Sequence, residues 1–186
     1  GELGYEINLP SLETASLLER LWDLGHELGM VPYGIEALMV MRTEKGFLHV
    51  GGDTDGTTLP ADIGMDRGIA KKAANFVGRR SLQRPASLDT QRMQLVGLMP
   101  VDRKTRLPVG AHIVAPPGPP GHIEGFVTSS YNSPNLGYPV ALAMLQEGRA
   151  RMGARITAYH LGTAIEAEVV TTPFFDPQGE RLHGHL

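Results

Sequence analysis

Residues 34–65, GIEALMVMRTEKGFLHVGGDTDGTTLPADIGM, decide how this chain is read. Ile35, Ala37, Leu38, Met39, Val40 and Met41 put apolar side chains on nearly every side of a helix predicted over Ile35–Lys45. A helix that is apolar all round is expected to be buried. Arg42, Glu44 and Lys45 gather at its C-terminal end, just ahead of Gly46, the residue type that tends to stop helices. Phe47–Val50 then reads as a short strand, and GGDTDG at residues 51–56 as a turn, Gly and Asp supplying the unusual backbone angles. Pro60 suits the first turn of another short helix, with Thr57 or Thr58 near its cap. One central helix, one strand and one polar turn are expected to fold together here.

The chain has 186 residues, enough for one good-sized domain or two small ones. It is 41% hydrophobic, ordinary for a globular protein. A formal net charge of −3 offers no basic field for nucleic acid or an anionic membrane surface. Without Cys there is no disulfide, thiolate metal site or thiol nucleophile. The lack of Cys fits an expected cytoplasmic protein, and with no uninterrupted apolar run of bilayer length no membrane partner is expected. The chain opens Gly-Glu-Leu-Gly-Tyr-Glu-Ile, in what reads as mid-strand, and is expected to be a piece of a longer polypeptide.

Upstream of the central helix, Tyr5, Ile7 and Leu9 alternate with Glu6 and Asn8 at strand period, and Pro10 ends the run. Ser11 suits a helix N-cap. Leu12, Ala15, Leu18, Leu21, Trp22, Leu24 and Leu28 follow at helical spacing to about Gly29, a stripe expected to pack into a core. Downstream, residues 85–90 read as a polar linker. From Gln91 short apolar segments are spaced by Gly and Pro: residues 93–99, 111–115, 123–129, 140–145, 155–159 and 163–170. That is the texture of an all-β sandwich or barrel. PPGPPG at 116–121 lacks a G-X-Y period and reads as an exposed loop, His160–Thr163 as a hairpin tip, and the closing PFFDPQGERLHGHL as a partly disordered tail.

Few residues stand out as chemistry. The His183-x-His185 pair lacks further ligands, and no metal site is expected. Asp53 and Asp55 begin like a calcium loop, but the glycine falls two positions early and position twelve is Gly64, not Glu. They are read instead as turn formers that bond their own backbone. No phosphate-binding loop or G-x-G-x-x-G occurs. Ser129 and Ser130 lack a nucleophile-elbow context. Arg42, on an apolar helix, is expected to pair with a buried carboxylate. Arg79 and Arg80 read either as a solvated face, the usual place for such charges, or as cations that attract a polyanionic ligand tail, and Glu2 as a strand-edge polar residue. Glu6, on an alternating strand, has a plain reading as a carboxylate turned to water.

The run G-x-E-A-L-x-x-M-R-x-E-K-G-F from Gly34, followed by G-x-x-T-D-G-T-x-x-P-x-D-x-G from Gly51, resembles the folate-binding region of heterotetrameric sarcosine oxidase alpha subunits. That region belongs to the wider aminomethyltransferase family, which includes the glycine cleavage T-protein. Ala37, Arg42, Glu44 and Gly46 match both branches, whereas Glu36, Lys45 and the TDGT run lean to the oxidase. Gly1 to Ile7 follows the family pattern T-G-E-x-G-[FYW]-E-[IL] from its second residue. Residues 75–82 follow D-F-x-G-[RK]-x-A-L, with Asn75 for Asp, and Ser133–Leu136 and Ala141–Ala143 follow S-P-x-L and A-L-A.

The resemblance implies an α+β fold: residues 1–88 as the C-terminal half of the folate-binding domain, helices on an antiparallel sheet, and residues 89–186 as an antiparallel β-barrel. It implies that Glu6 binds the folate pterin, for which a carboxylate can accept paired N–H donors. The family's Arg beside that Glu falls at Leu38, so this second contact is not carried over, and Glu36 is not assigned it. The family's catalytic Asp lies upstream of the matching motif, so no catalytic residue is assigned here. The implied activity of the intact protein is oxidative demethylation of sarcosine to glycine, with the one-carbon unit captured by tetrahydrofolate. FAD, FMN and NAD would sit elsewhere in a complex with beta, gamma and delta subunits. Aminomethyl transfer in glycine cleavage, or a ligand-free scaffold, are the alternatives. The segment alone is expected to bind folate weakly or not at all, and a bare strand edge at Gly1–Leu9 to invite self-association.

Overall fold

The computed structural model describes residues 4–116 and 121–183. Six strands carry most of its order: β1 Met93–Pro100, β2 His112–Val114, β3 Ile123–Ser133, β4 Tyr138–Gln146, β5 Arg155–His160 and β6 Thr163–Val170. They pair antiparallel throughout and close into a barrel in the order β1-β4-β3-β2-β5-β6, with β6 returning to β1. Each of the six apolar segments read from the sequence forms one of these strands, with ends moved by at most a few residues.

Period-2 alternation fills the interior, because successive strand side chains point to opposite faces. Val96 and Leu98 of β1, Ala141, Ala143 and Leu145 of β4, Ile156 and Ala158 of β5, and Ala167 and Val169 of β6 form one buried cluster with Ile113 and Val127. Strand β4 is buried at Pro139–Leu145 on both faces, which is why PVALAML reads as a continuous apolar run. The β5–β6 hairpin turns through Leu161 and Gly162, both at positive φ (44° and 86°), the geometry of the two-residue turns that match strand twist.

Strands β3 and β4 approach closely at Gly125. A Cβ there would run into the Met144 carbonyl oxygen and lie 2.9 Å from Leu145 Cα, both backbone atoms that cannot swing away. Gly125→Ala is therefore expected to destabilise the barrel by about 1–3 kcal/mol, the usual cost of overpacking. Urea unfolding followed by circular dichroism measures it.

Three helices precede the barrel: α1 Thr14–Gly25, α2 Ile35–Glu44 and α3 Asp66–Ala70. The chain divides into two compact units. One comprises the described residues of Gly1–Met39 and Gln178–Leu186, and the other is Val40–Pro177. The fold class is the expected α+β arrangement of helices followed by an antiparallel barrel. Several local expectations are overturned. Residues 4–10 form no strand, and the apolar stripe of α1 is exposed, Leu18 at 63% and Leu24 at 70%. The period is present, but no residue of α1 is buried.

In α2 the expectation of an apolar helix buried all round is reversed. Ile35 is 75% exposed, while the buried residues are Thr43 and Glu44. Polar partners at the C-terminal end decide which face is covered. The helix does stop where expected, with Gly46 at φ 68°. Phe47–Val50 is not a strand, because its backbone groups are already used. The His49 N–H donates to Asp53 Oδ2 (2.7 Å), and its carbonyl accepts from the Gly52 and Asp53 amides (3.0 and 2.8 Å). Residues 60–64 form turns and not a helix. The start of the tail is held by hydrogen bonds: the Phe174 and Phe175 amides donate to the Glu44 carbonyl, and Lys45 Nζ reaches Asp176 at 2.7 Å to its carbonyl and 3.1 Å to Oδ2. Residues 117–120 of the expected loop, Glu2, and His185 lie outside the described residues.

Candidate functional site

Asp53 is 1% exposed and anchors the turn read from GGDTDG to strand β3. Its Oδ2 accepts from Arg42 Nη1 (2.5 Å) and the His49 amide (2.7 Å). Its Oδ1 accepts from Thr128 Oγ1 (2.5 Å) and Ser129 Oγ (2.7 Å). Neighbours in a regular strand point to opposite faces. Here the β3–β4 register shifts between Val127 and Ser129, and this irregularity lets two successive hydroxyls reach one carboxylate oxygen. Arg42 completes the set by donating from Nη2 to Ser129 Oγ (2.6 Å) and from Nη1 to the Phe47 carbonyl (3.3 Å).

This arrangement is not an activated serine. Burial pushes the Asp53 carboxyl up, but the bonds from Thr128, His49 and Ser129, with the Arg42 charge, outweigh it and hold its pKa below the ordinary 3.8. A carboxylate so acidic is a poor base near neutrality. The cluster instead fastens the C-terminal end of α2 and the 49–53 turn to the barrel. The expected pairing of Arg42 with a buried carboxylate is thus observed. Asp53 does more than the turn-forming role expected of it.

The sign of the pH effect follows. A depressed folded pKa contributes stability that is complete above the unfolded value of 3.8 and is lost as pH falls through the folded value. Asp53→Asn is expected to be less stable than the parent at pH 7, with the gap narrowing below pH ~4. Urea midpoints measured along an acid series check this.

A second fastening lies on the same helix end. Glu44, 2% exposed, accepts from Ser133 Oγ (2.5 Å) at Oε1 and from Asn135 Nδ2 (2.8 Å) at Oε2. Ser133 and Asn135 belong to the SPNL run that turns β3 into β4. A third holds the 57–62 segment. Arg92 grips Asp62 with Nε (2.9 Å) and Nη2 (2.6 Å), and Nη2 also donates to the Thr57 carbonyl (2.8 Å). The Leu95 amide of β1 donates to the Asp62 carbonyl at 2.8 Å, and Arg149 Nη2 donates to the carbonyl of Ala61.

Between the 51–58 turn and the barrel these fastenings leave a recess of about 450 Å³, a size suited to a small organic ligand. Its lining is mixed, polar at Asp55, Thr57 and Arg92 and apolar at Met93, Phe126 and Met144. Asp55 accepts from the Thr57 hydroxyl (2.7 Å), the Thr57 amide (2.8 Å) and the Thr58 hydroxyl (3.1 Å), bonds that lower its pKa. Its expected role as a turn former is the one observed.

The remaining sequence candidates take no part in these hydrogen bonds among the described residues. Glu6 sits in an irregular segment with its side chain exposed. Leu38 and Glu36 are exposed on α2. Arg79 Nη1 donates to the Ala73 and Ala74 carbonyls (3.1 Å each), and Arg80 is exposed. Sequence reading missed Glu44, Asp62 and Arg92. The one available signal was charge: acidic residues in otherwise ordered segments, each needing a distant donor.

Comparison with known proteins places this geometry. Residues 1–73 match the GCVT N-terminal domain, and residues 93–176 match the glycine cleavage T-protein C-terminal barrel domain. The chain is 42% identical, over 99% of its length, to the sarcosine oxidase subunit alpha of Corynebacterium sp. (strain P-1), of which it spans 19%. It is 32% identical, over 94% of its length, to the aminomethyltransferase of Halothermothrix orenii, of which it spans 47%. The crystal structure of the glycine cleavage system aminomethyltransferase T from Bartonella henselae superposes with a TM-score of 0.73 at 24% identity, covering 91% of this chain and 45% of that one. The chain therefore spans about a fifth of the alpha subunits and under half of the aminomethyltransferases it matches. With both of its halves matched, by the N-terminal and the barrel domain descriptions in turn, this chain belongs to the aminomethyltransferase (glycine cleavage T-protein) family.

Proposed function

We propose that this chain is the folate-holding part of a sarcosine oxidase alpha subunit, residues 1–88 supplying the α+β half of the folate domain and 89–186 the barrel. The observation that carries the reading is the higher identity, across nearly the whole chain, to a sarcosine oxidase alpha subunit (42%) than to an aminomethyltransferase (32%). In this reading the intact protein works in the cytoplasm with beta, gamma and delta subunits, and FAD, FMN and NAD belong to other parts of that complex. Among the described residues no helix is long and apolar enough to cross a membrane.

The residue assigned to folate is Glu6. Its carboxylate is exposed, and no hydrogen bond occupies it among the described residues, so it is available to a ligand. A carboxylate suits the pterin, whose amino and ring N–H groups are adjacent donors. When bound, tetrahydrofolate supplies an acceptor for the one-carbon unit released in demethylation. The contribution of the chain is to hold that acceptor in place, which is catalysis by positioning.

A second reading, aminomethyl transfer in glycine cleavage, is favoured by the match to the T-protein barrel domain. Turnover separates the two. The complete protein in its assembly, given sarcosine and oxygen but no folate, is expected to form glycine, formaldehyde and hydrogen peroxide, with formaldehyde suppressed when tetrahydrofolate is added. Absence of sarcosine turnover, together with exchange activity on glycine cleavage substrates, would overturn the first reading in favour of the second.

A further inference from the structure

We propose that the barrel carries a second site, for a compact oxyanion bearing two negative charges (phosphate or a dicarboxylate), built by Arg103, Lys104, Asn132 and Tyr138. These four line a recess of about 460 Å³ at the end of the barrel where β1 leaves and the β3–β4 hairpin turns, distinct from the recess beside the 51–58 turn.

The guanidinium is preorganised. Arg103 lies over the Tyr138 ring, its Cζ 4.7 Å from the centroid, a cation–π contact that holds the guanidinium and uses none of its N–H donors in a hydrogen bond. Among the described residues no hydrogen bond takes up those donors, nor the Lys104 ammonium or the Asn132 amide, and all three residues are exposed. The backbone reinforces the placement. Arg103 holds φ at 53°, a left-handed conformation that a residue with a Cβ adopts at a cost.

The turn that carries it is closed by Asp102, whose carboxylate accepts from the Thr105 hydroxyl (2.5 Å) and from the Lys104 and Thr105 amides (2.9 Å each). The one acidic residue of the Asp102–Arg106 run is thereby turned to its own loop. Three cations, Arg103, Lys104 and Arg106, remain in that run of a chain whose overall formal charge is −3. A local positive recess on a net acidic protein selects an anion. A planar fork beside a point charge and a neutral amide donor matches a multi-oxygen anion better than chloride.

Titration of the 15N-labelled chain with inorganic phosphate, and separately with glutarate, at constant ionic strength set by sodium chloride, tests the site. Saturable shifts centred on Arg103, Lys104, Asn132 and Tyr138 are expected with at least one of the two. The anion giving the tighter saturation identifies the source. Arg103→Gly removes the guanidinium while keeping a residue at ease with positive φ, so its fold is expected to be intact. It should weaken saturation about tenfold or more, the loss expected for hydrogen bonds to a charged group. Shifts that rise linearly and equally at all surface cations, no saturation with either anion, or a Kd unchanged in Arg103→Gly would overturn the proposal.

Discussion

Asp53→Ala is expected to lower the unfolding free energy by about 3–5 kcal/mol, the cost of stranding a largely buried cation without its partner. The site makes the large figure apt. Arg42 keeps only 12% of its side chain exposed, so water cannot replace the carboxylate. The Thr128 and Ser129 hydroxyls and the His49 amide lose their acceptor at the same time. Asp53→Asn keeps the shape and one oxygen acceptor but withdraws the charge, and it should fall between parent and Ala. Denaturant unfolding of the three proteins at pH 7 measures the ranking. Equal midpoints for Asp53→Ala and the parent would show that the cluster does not hold the turn to the barrel.

That cluster also marks where sequence reading stops. The barrel strands were legible because period-2 alternation and Gly/Pro punctuation are local signals, and each of Val96, Leu98, Ile156 and Val169 announces its own inward face. The α1 stripe was equally legible as a helix, and α1 forms. What α1 packs against was not, since a period states a demand for burial and not how it is met. In α2 hydrophobicity and burial part company. Hydrophobicity pointed to Ile35 and Leu38, while the buried residues were Thr43 and Glu44. Glu44 is satisfied there by Ser133 and Asn135, about ninety positions away, and by the amide of Phe174. Arg42 was assigned a carboxylate correctly on charge alone. Which carboxylate it would be, and that a strand irregularity would bring two hydroxyls to it, required the register of β3 against β4.

Glu6→Gln carries the second large effect. If the Glu6 carboxylate accepts pterin N–H donors, the amide keeps one acceptor and presents an NH₂ group where the ligand also presents donors. Loss of a charged hydrogen bond of this kind costs about 1.5–3 kcal/mol, a weakening of roughly 10- to 150-fold in Kd. Stability should not change, because the side chain is exposed and makes no hydrogen bond among the described residues. That separation of affinity from stability distinguishes a ligand contact from a packing role. In turnover with sarcosine, the variant should release formaldehyde at tetrahydrofolate concentrations that suppress it in the parent.

The measurement that bears most directly on the folate assignment is calorimetric titration of tetrahydrofolate into the complete protein and into its Glu6→Gln variant. The account predicts a saturable isotherm for the parent and one weakened by at least about tenfold for the variant, with matching thermal unfolding. Indistinguishable isotherms, or no binding by the parent, would contradict it.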